Sequence, residues 1–138
     1  IVCSLGVDGQ VNCPSLTGFN TCGCSADGGG RTIYVDCGNA QLGDVKASEL
    51  LQLFINNPNV SPLSSVYLAY NQLTKMPDEI AQLDQLATAY FHGNNIQSIQ
   101  ANAFNFSPTL KTLYLSSNSI SNIEPGAFNG TILLKSII

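Results

Sequence analysis

The chain has 138 residues, of which 44% are hydrophobic and 10% charged, with a net charge of −4. That is enough apolar material for one domain with a real core, and too little positive charge for a stripe that neutralises phosphates, which argues against a nucleic-acid partner. The longest apolar runs, such as Ile132-Leu133-Leu134, fall far short of the roughly 20 residues that a membrane-spanning helix needs, so no span is expected within this segment.

The chain starts Ile1-Val2-Cys3, with no initiator Met and no basic-then-apolar leader, and reads as a processed or excised segment. Cysteines stand at positions 3, 13, 22, 24 and 37 and nowhere after them. Thiols used merely as small core residues would have no reason to crowd at one end. A zinc site is the rival to disulfides, but the spacing C-x8-C-x-C-x12-C lacks the paired two-residue knuckles that set four thiolates tetrahedrally. Disulfides imply an oxidising compartment, and their connectivity stays open on the sequence alone. Gly28-Gly29-Gly30 is a loop within this region, with no Gly-Lys-Ser/Thr behind it to cradle phosphate.

Val35, Cys37, Ala40, Leu42 and Val45 form the first, degenerate frame of a repeating pattern. The stretch from Lys46 to Pro62 is an insertion, because Asn71 lies 31 residues beyond the equivalent Ala40. Within it, Ser48-Glu49 followed by Leu50, Leu51, Phe54 and Ile55, with Pro58 beyond, predicts a short capped helix. Three full frames follow. They are Leu63, Val66, Leu68, Asn71, Leu73, Met76; then Leu86, Ala89, Phe91, Asn94, Ile96, Ile99; then Leu110, Leu113, Leu115, Asn118, Ile120, Ile123. Behind them Ile80, Phe104 and Phe128 each precede a further apolar slot at the same distance, namely Leu86, Leu110 and Leu134. A last frame opens at Leu134 and runs to Ile137-Ile138, which predicts an apolar C-terminal edge through which the chain can associate.

Self-similarity at this period points to stacked units that cannot bury their apolar faces singly. The alternation Val66, Leu68 or Leu113, Leu115 is that of a short strand with one face inward. A buried Asn must satisfy both donor and acceptor, and a column of stacked Asn side chains can do so against the backbone of neighbouring turns.

The pattern L-x-x-L-x-L-x-x-N-x-L resembles the leucine-rich-repeat family and covers roughly residues 33–138. The resemblance implies an α/β fold: a right-handed solenoid of about four repeats plus a truncated last one, with a short-stranded parallel sheet on the concave face and the inserted helix on the convex side. Cys13-Pro14, Cys22-Gly23-Cys24 and Val35-Asp36-Cys37 resemble the N-terminal cysteine cap of extracellular members, which assigns residues 1–37 to a cap. That likeness implies bridges Cys13 to Cys24 and Cys22 to Cys37, and leaves Cys3 over, either for a partner outside this segment, with an upstream one preferred, or free. The gap from Cys13 to Cys22 is longer than usual in such caps, and Gly28-Gly29-Gly30 lengthens the next, so the pairing remains an expectation. The acceptor triplets at Asn59, Asn105 and Asn129 fit an extracellular, glycosylated protein, and the reading places them outside the strands.

In this family the non-apolar strand positions face the concave side, where residues one coil apart form columns about 4.8 Å apart. One column holds Asp36, Tyr67, Tyr90, Tyr114 and Ile138, flanked by Tyr34, Ser65, Thr88, Thr112, Ser136 and by Gly38, Ala69, His92, Ser116. A further column has Asn39, Tyr70, Gly93 and Ser117. Tyrosines there serve equally as a cross-strand ladder that stabilises the sheet and as an amphipathic contact surface. The expected binding residues are Tyr67, Tyr70, Tyr90, His92, Thr112, Tyr114 and Ser116. His92, the only histidine, reads as an exposed strand residue or as a source of pH-sensitive binding. Asp78, Glu79 and Asp84 read as solvated surface in the turns.

Expected function is therefore an extracellular module that binds a protein or other macromolecule. The alternative is a non-catalytic structural subunit that stabilises an enzyme or assembly. An enzyme is the third class, and the sequence has no G-x-S-x-G elbow, no metal-ligand pair and no Cys-His couple within reach. No cofactor or metal is expected.

Overall fold

A computed structural model describes residues 18–19, 21–26, 33–56 and 62–138 of the chain. The apolar alternation at Val66, Ala89 and Leu113 resolves into parallel strands. These are β1 (Gly23–Ala26), β2 (Ile33–Asp36), β3 (Leu63–Tyr67), β4 (Thr88–Tyr90), β6 (Thr112–Tyr114) and β8 (Ser136–Ile137), which build one six-stranded sheet in that spatial order. β1 pairs antiparallel with β2, and every later pair is parallel. Two further short strands, β5 (Ser98–Ile99) and β7 (Asn122–Ile123), pair in parallel on a separate sheet. This is a solenoid of stacked coils, the architecture that the leucine-rich-repeat resemblance implies, and the register matches the frames: Val66 pairs with Ala89, and Ala89 with Leu113.

The core lies between the two sheets. Val66, Ala89 and Leu113 are fully buried, as are Leu68 and Phe91, Leu73 and Ile96, and Met76 and Ile99. Ile80 and Phe104 fill the slot behind them, and the Phe104 ring stacks on that of Phe128 at 5.4 Å. Where the last coil has no neighbour, the same slots are open: Ile123 and Ile137 are about half exposed, whereas their counterparts Ile99 and Leu113 are buried.

Asn71, Asn94 and Asn118 stitch the coils together. Each Oδ1 accepts a backbone N–H from the preceding coil, from Leu42 at 2.9 Å, Leu73 at 3.1 Å and Ile96 at 3.0 Å respectively. Each amide donates to one carbonyl of the preceding coil and to at least one of its own. Leu68 and Phe91 thus accept from two asparagines apiece. One polar residue per coil is tolerated inside because every polar atom of it is used.

The inserted helix, α1, runs Asp44–Ile55 and buries Ala47, Leu50, Leu51 and Phe54. It starts four residues before the expected Ser48. Gly43 is the N-cap, without a side-chain cap bond, and Asp44 in the first turn accepts from the Thr74 and Lys75 N–H groups of the next coil. As a consequence Val45, expected in an apolar slot, is 72% exposed. α1 packs against a short 3-10 helix, Asp78–Gln82.

At the N-terminal end a disulfide joins Cys22 to Cys37, both fully buried. Cys24 on β1 is also disulfide-bonded. Its expected partner Cys13, together with Cys3 and Asn59, lies outside the described residues. Among those residues no helix is long and apolar enough to cross a membrane.

Candidate functional site

Because β3, β4 and β6 run in parallel and in register, Tyr67, Tyr90 and Tyr114 project in a row from the side of the sheet turned away from the core. The Tyr90 and Tyr114 rings stack nearly parallel, 4.5 Å apart and 9° from coplanar, while Tyr67 and Tyr90 lie 5.1 Å apart and tilted. His92 stands in the middle. Its ring meets those of Tyr67 at 5.6 Å, Tyr70 at 5.0 Å, and Tyr90 and Tyr114 at 6.2 Å, always edge-to-face. Edge-to-face contact is the arrangement that ring quadrupoles prefer, so the five rings hold one another.

The stacking decides what this surface can offer. The Tyr90 and Tyr114 faces turned toward each other are used up, while Tyr70 stays half exposed. Tyr67 Oη and His92 Nε2 approach to 3.5 Å, and His92 Nδ1 is buried among the described residues without a hydrogen-bond partner. Among the described residues no group of three His, Cys, Asp or Glu side chains could hold a metal ion.

Charge is nearly absent from the row. Asp36, at its N-terminal end, is the one carboxylate in the Tyr column, and it accepts the Gly38 N–H at 2.9 Å. Burial, reinforced by the Asp36 carboxylate and by Tyr67 and Tyr90, pushes the hydroxyl of Tyr34 up to about 12. Burial also raises Tyr67 above the ordinary phenol range, with Tyr70, Asp36 and Tyr90 adding to it. Both hydroxyls therefore keep their protons, and their donor capacity, at any physiological pH.

Of the residues expected from sequence, the structure brings Tyr67, Tyr70, Tyr90, His92 and Tyr114 into one cluster. Thr112 lies in the neighbouring hydroxyl row, in register with Thr88 and Ser136, and Ser116 is exposed beyond it. Ala69, in the His92 column, is fully buried and offers no surface. Asn105 and Asn129 sit exposed in turns. The Ser107 hydroxyl of the first triplet is fully buried near the Ile80 carbonyl, and that of Thr131 donates to the Phe128 carbonyl at 2.7 Å.

Glu79 was expected on the solvated surface and is instead 8% exposed. The inserted helix covers it: Ser48 Oγ donates to its carboxylate at 2.5 Å and Gln52 Nε2 at 3.2 Å. Burial opposes its ionisation, but these donors, its own N–H and the Lys75 charge outweigh burial and hold it below the ordinary carboxylate range. Beside it, α1 and the 3-10 helix bound an open cleft of about 260 Å³ lined by Asp44, Val45, Lys75 and Pro77 among others. No signal in the sequence marks Glu79, because the cover comes from a helix 30 residues away.

Comparison with known proteins agrees with this architecture. Residues 84–138 match the leucine rich repeat family model. Among solved structures the chain is similar to human 5T4, also called Wnt-activated inhibitory factor 1 and trophoblast glycoprotein, at 28% identity and a TM-score of 0.57. The likeness covers 86% of this chain and 37% of that one, so the chain spans little more than a third of its structural relative. No curated protein sequence matches it significantly.

Proposed function

We propose that this chain, a leucine-rich-repeat protein, is an extracellular binding module that engages a protein partner through the tyrosine side of its sheet, and that it catalyses nothing. The observation that carries this reading is the cluster of four tyrosines around His92 on an almost uncharged sheet surface. Tyrosine supplies large, rigid, amphipathic contact area with few rotamers to freeze, which is why it dominates binding hot spots. Ser65, Thr88, Thr112 and Ser136 lie alongside as adaptable hydroxyls, a composition close to that of antibody binding loops.

Tyr70 supports the same reading. Its backbone has φ 56°, the left-handed region, in a column where Asn39 and Gly93 take that conformation far more readily. Ser117 takes it too, so the coil fixes this conformation and with it the placement of the half-exposed Tyr70 ring.

The buried Cys22–Cys37 bridge supports an oxidising, extracellular location. Residues 1–37 would form the cap and residues 33–138 the repeats, with Asn105 and Asn129 as glycan acceptors. A second reading, a stable structural subunit, is favoured by Phe106, an apolar side chain 65% exposed outside the six-stranded sheet.

The test compares the wild-type chain with Tyr90→Ser against an arrayed panel of secreted and cell-surface ectodomains. Loss of a hot-spot tyrosine costs about 2 kcal/mol, roughly thirtyfold in affinity. Any partner of the wild type should therefore bind the variant at least tenfold more weakly, with disulfides and circular dichroism unchanged. Equal binding by both would demote the tyrosine row to scaffold.

A further inference from the structure

Two glycines lie directly beneath the aromatic cluster. A Cβ added at Gly38 would stand 2.6 Å and 2.9 Å from the Cε1 and Cδ1 atoms of the Tyr67 ring. One added at Gly93 would stand 2.5 Å and 2.8 Å from the corresponding Cδ1 and Cε1 atoms of Tyr70. Real Cβ contacts essentially never come so close, so both rings occupy space that any other residue would fill. Each ring that is seated in this way is also one that meets His92 edge-on, at 5.6 Å for Tyr67 and 5.0 Å for Tyr70.

We propose that Gly38 and Gly93 are positioning residues of the binding face: their missing side chains let Tyr67 and Tyr70 lie down against the sheet on either side of their own coil and so set how each ring meets His92. This rests on the reading of that face as the contact surface and adds what sets its shape. The two glycines are two coils apart, with Tyr67 and Tyr70 on the coil between them, and they seat rings that lean in opposite senses. Tyr67 on β3 reaches back over the preceding coil, and Tyr70 reaches forward over the following one. Tyr70 thus lies against His92 on the following coil, while Tyr67 keeps a ring contact of 5.6 Å and its hydroxyl beside Nε2. A lone stack of three tyrosines would be a ridge, whereas the two seated rings make it a shaped cluster with the Tyr67 hydroxyl beside His92 Nε2.

The geometry also separates this role from a folding role. The atoms that an added Cβ meets belong to side chains, not backbone: ring carbons of Tyr67 and Tyr70, and Asp36 Oδ1 at 3.4 Å beside Gly38, so it is the ring that must move. Gly38 has an ordinary φ, and alanine there brings no backbone strain. Gly93 has φ 69°, where alanine would be strained in itself, so Asn, which tolerates that region, is the cleaner replacement.

The experiment is two-dimensional NMR of the isotopically labelled chain as Gly38→Ala, Gly93→Asn and wild type, followed by binding of all three to any partner found with the ectodomain panel. The expected result is a Tyr67–His92 ring cross-peak that is not retained at its wild-type intensity in Gly38→Ala, because the ring is displaced from its seat, and loss of the Tyr70–His92 cross-peaks in Gly93→Asn. The Val66, Ala89 and Leu113 amide resonances should stay in place. Retained cross-peaks would overturn the proposal, and so would core amides that shift throughout the sheet, since the glycines would then serve the coil. Weakened or lost cross-peaks with undiminished partner binding would leave the seating role intact and count against the binding face itself.

Discussion

Asn94 and Leu73 belong to successive coils, and the Oδ1 of one accepts the N–H of the other at 3.1 Å. The same Asn94 amide donates to the Leu68 and Phe91 carbonyls at 2.9 Å. Replacing Asn94 with Leu keeps the size and strips three buried backbone groups of a partner. At about 1–3 kcal/mol for each unsatisfied group, partly offset where Asn71 and Asn118 also serve a carbonyl, the expected loss is about 3–5 kcal/mol. Urea unfolding monitored by circular dichroism measures it, and a loss below about 1 kcal/mol would deny the ladder its role.

Two carboxylates tie the inserted helix to the second coil, and both should appear in the acid limb of stability. For Asp44, burial raises the carboxyl, but the Thr74 hydroxyl, the Thr74 and Lys75 N–H groups and the Lys75 charge lower it further, leaving it below its ordinary 3.8. Glu79 is likewise held below 4.5. The unfolded chain therefore takes up these protons first as pH falls. The stabilisation is present above the ordinary values and is lost as pH drops through the lowered ones. Glu79→Gln should flatten the fall in unfolding temperature below about pH 4.5 relative to wild type. An unchanged acid limb would mean that Ser48 and Gln52 do not stabilise the ionised form.

Tyr34 sets the opposite limb. Its hydroxyl is raised from 10.0 to about 12, so the unfolded chain loses this proton before the folded one does. The associated stability is whole below pH 10 and disappears as pH rises toward 12. Ultraviolet titration of phenolate should show one tyrosine ionising late in the wild type and that step missing in Tyr34→Phe.

Ser117 occupies the left-handed column at φ 55°, where the equivalent position one coil earlier is Gly93. Ser117→Gly removes the side-chain clash of that conformation and gives back part of the gain as chain entropy, for a net stabilisation of about 0.5–1 kcal/mol. Thermal unfolding would show it as a rise of a few degrees. A fall would mean that the Ser117 side chain makes a contact worth more than the strain.

The repeat was legible because the solenoid reads out periodicity directly. Val66, Ala89 and Leu113 could be set in register from their spacing, and the asparagines could be assigned inward, since residues one coil apart are neighbours whatever lies between. The helix was legible in kind and misplaced at its start. Ser48 is a good cap by residue type, but Asp44 is tied to Thr74 and Lys75, a contact with the next coil that lies 30 residues on. Glu79 was misread for the same reason: residue type says exposed, and only the packing of α1 over the 3-10 helix says buried.

Composition and period by themselves determined the class of fold, the column of tyrosines and the absence of a charged face, because these depend only on which residues recur at one coil's spacing. Tertiary structure alone decided that Tyr90 and Tyr114 stack, that His92 is ringed by four tyrosines, and that Gly38 and Gly93 leave room for two of them. Those outcomes depend on side-chain rotamers and on the few ångströms between neighbouring coils, where a single Cβ is the difference between a ring that lies flat and one that cannot.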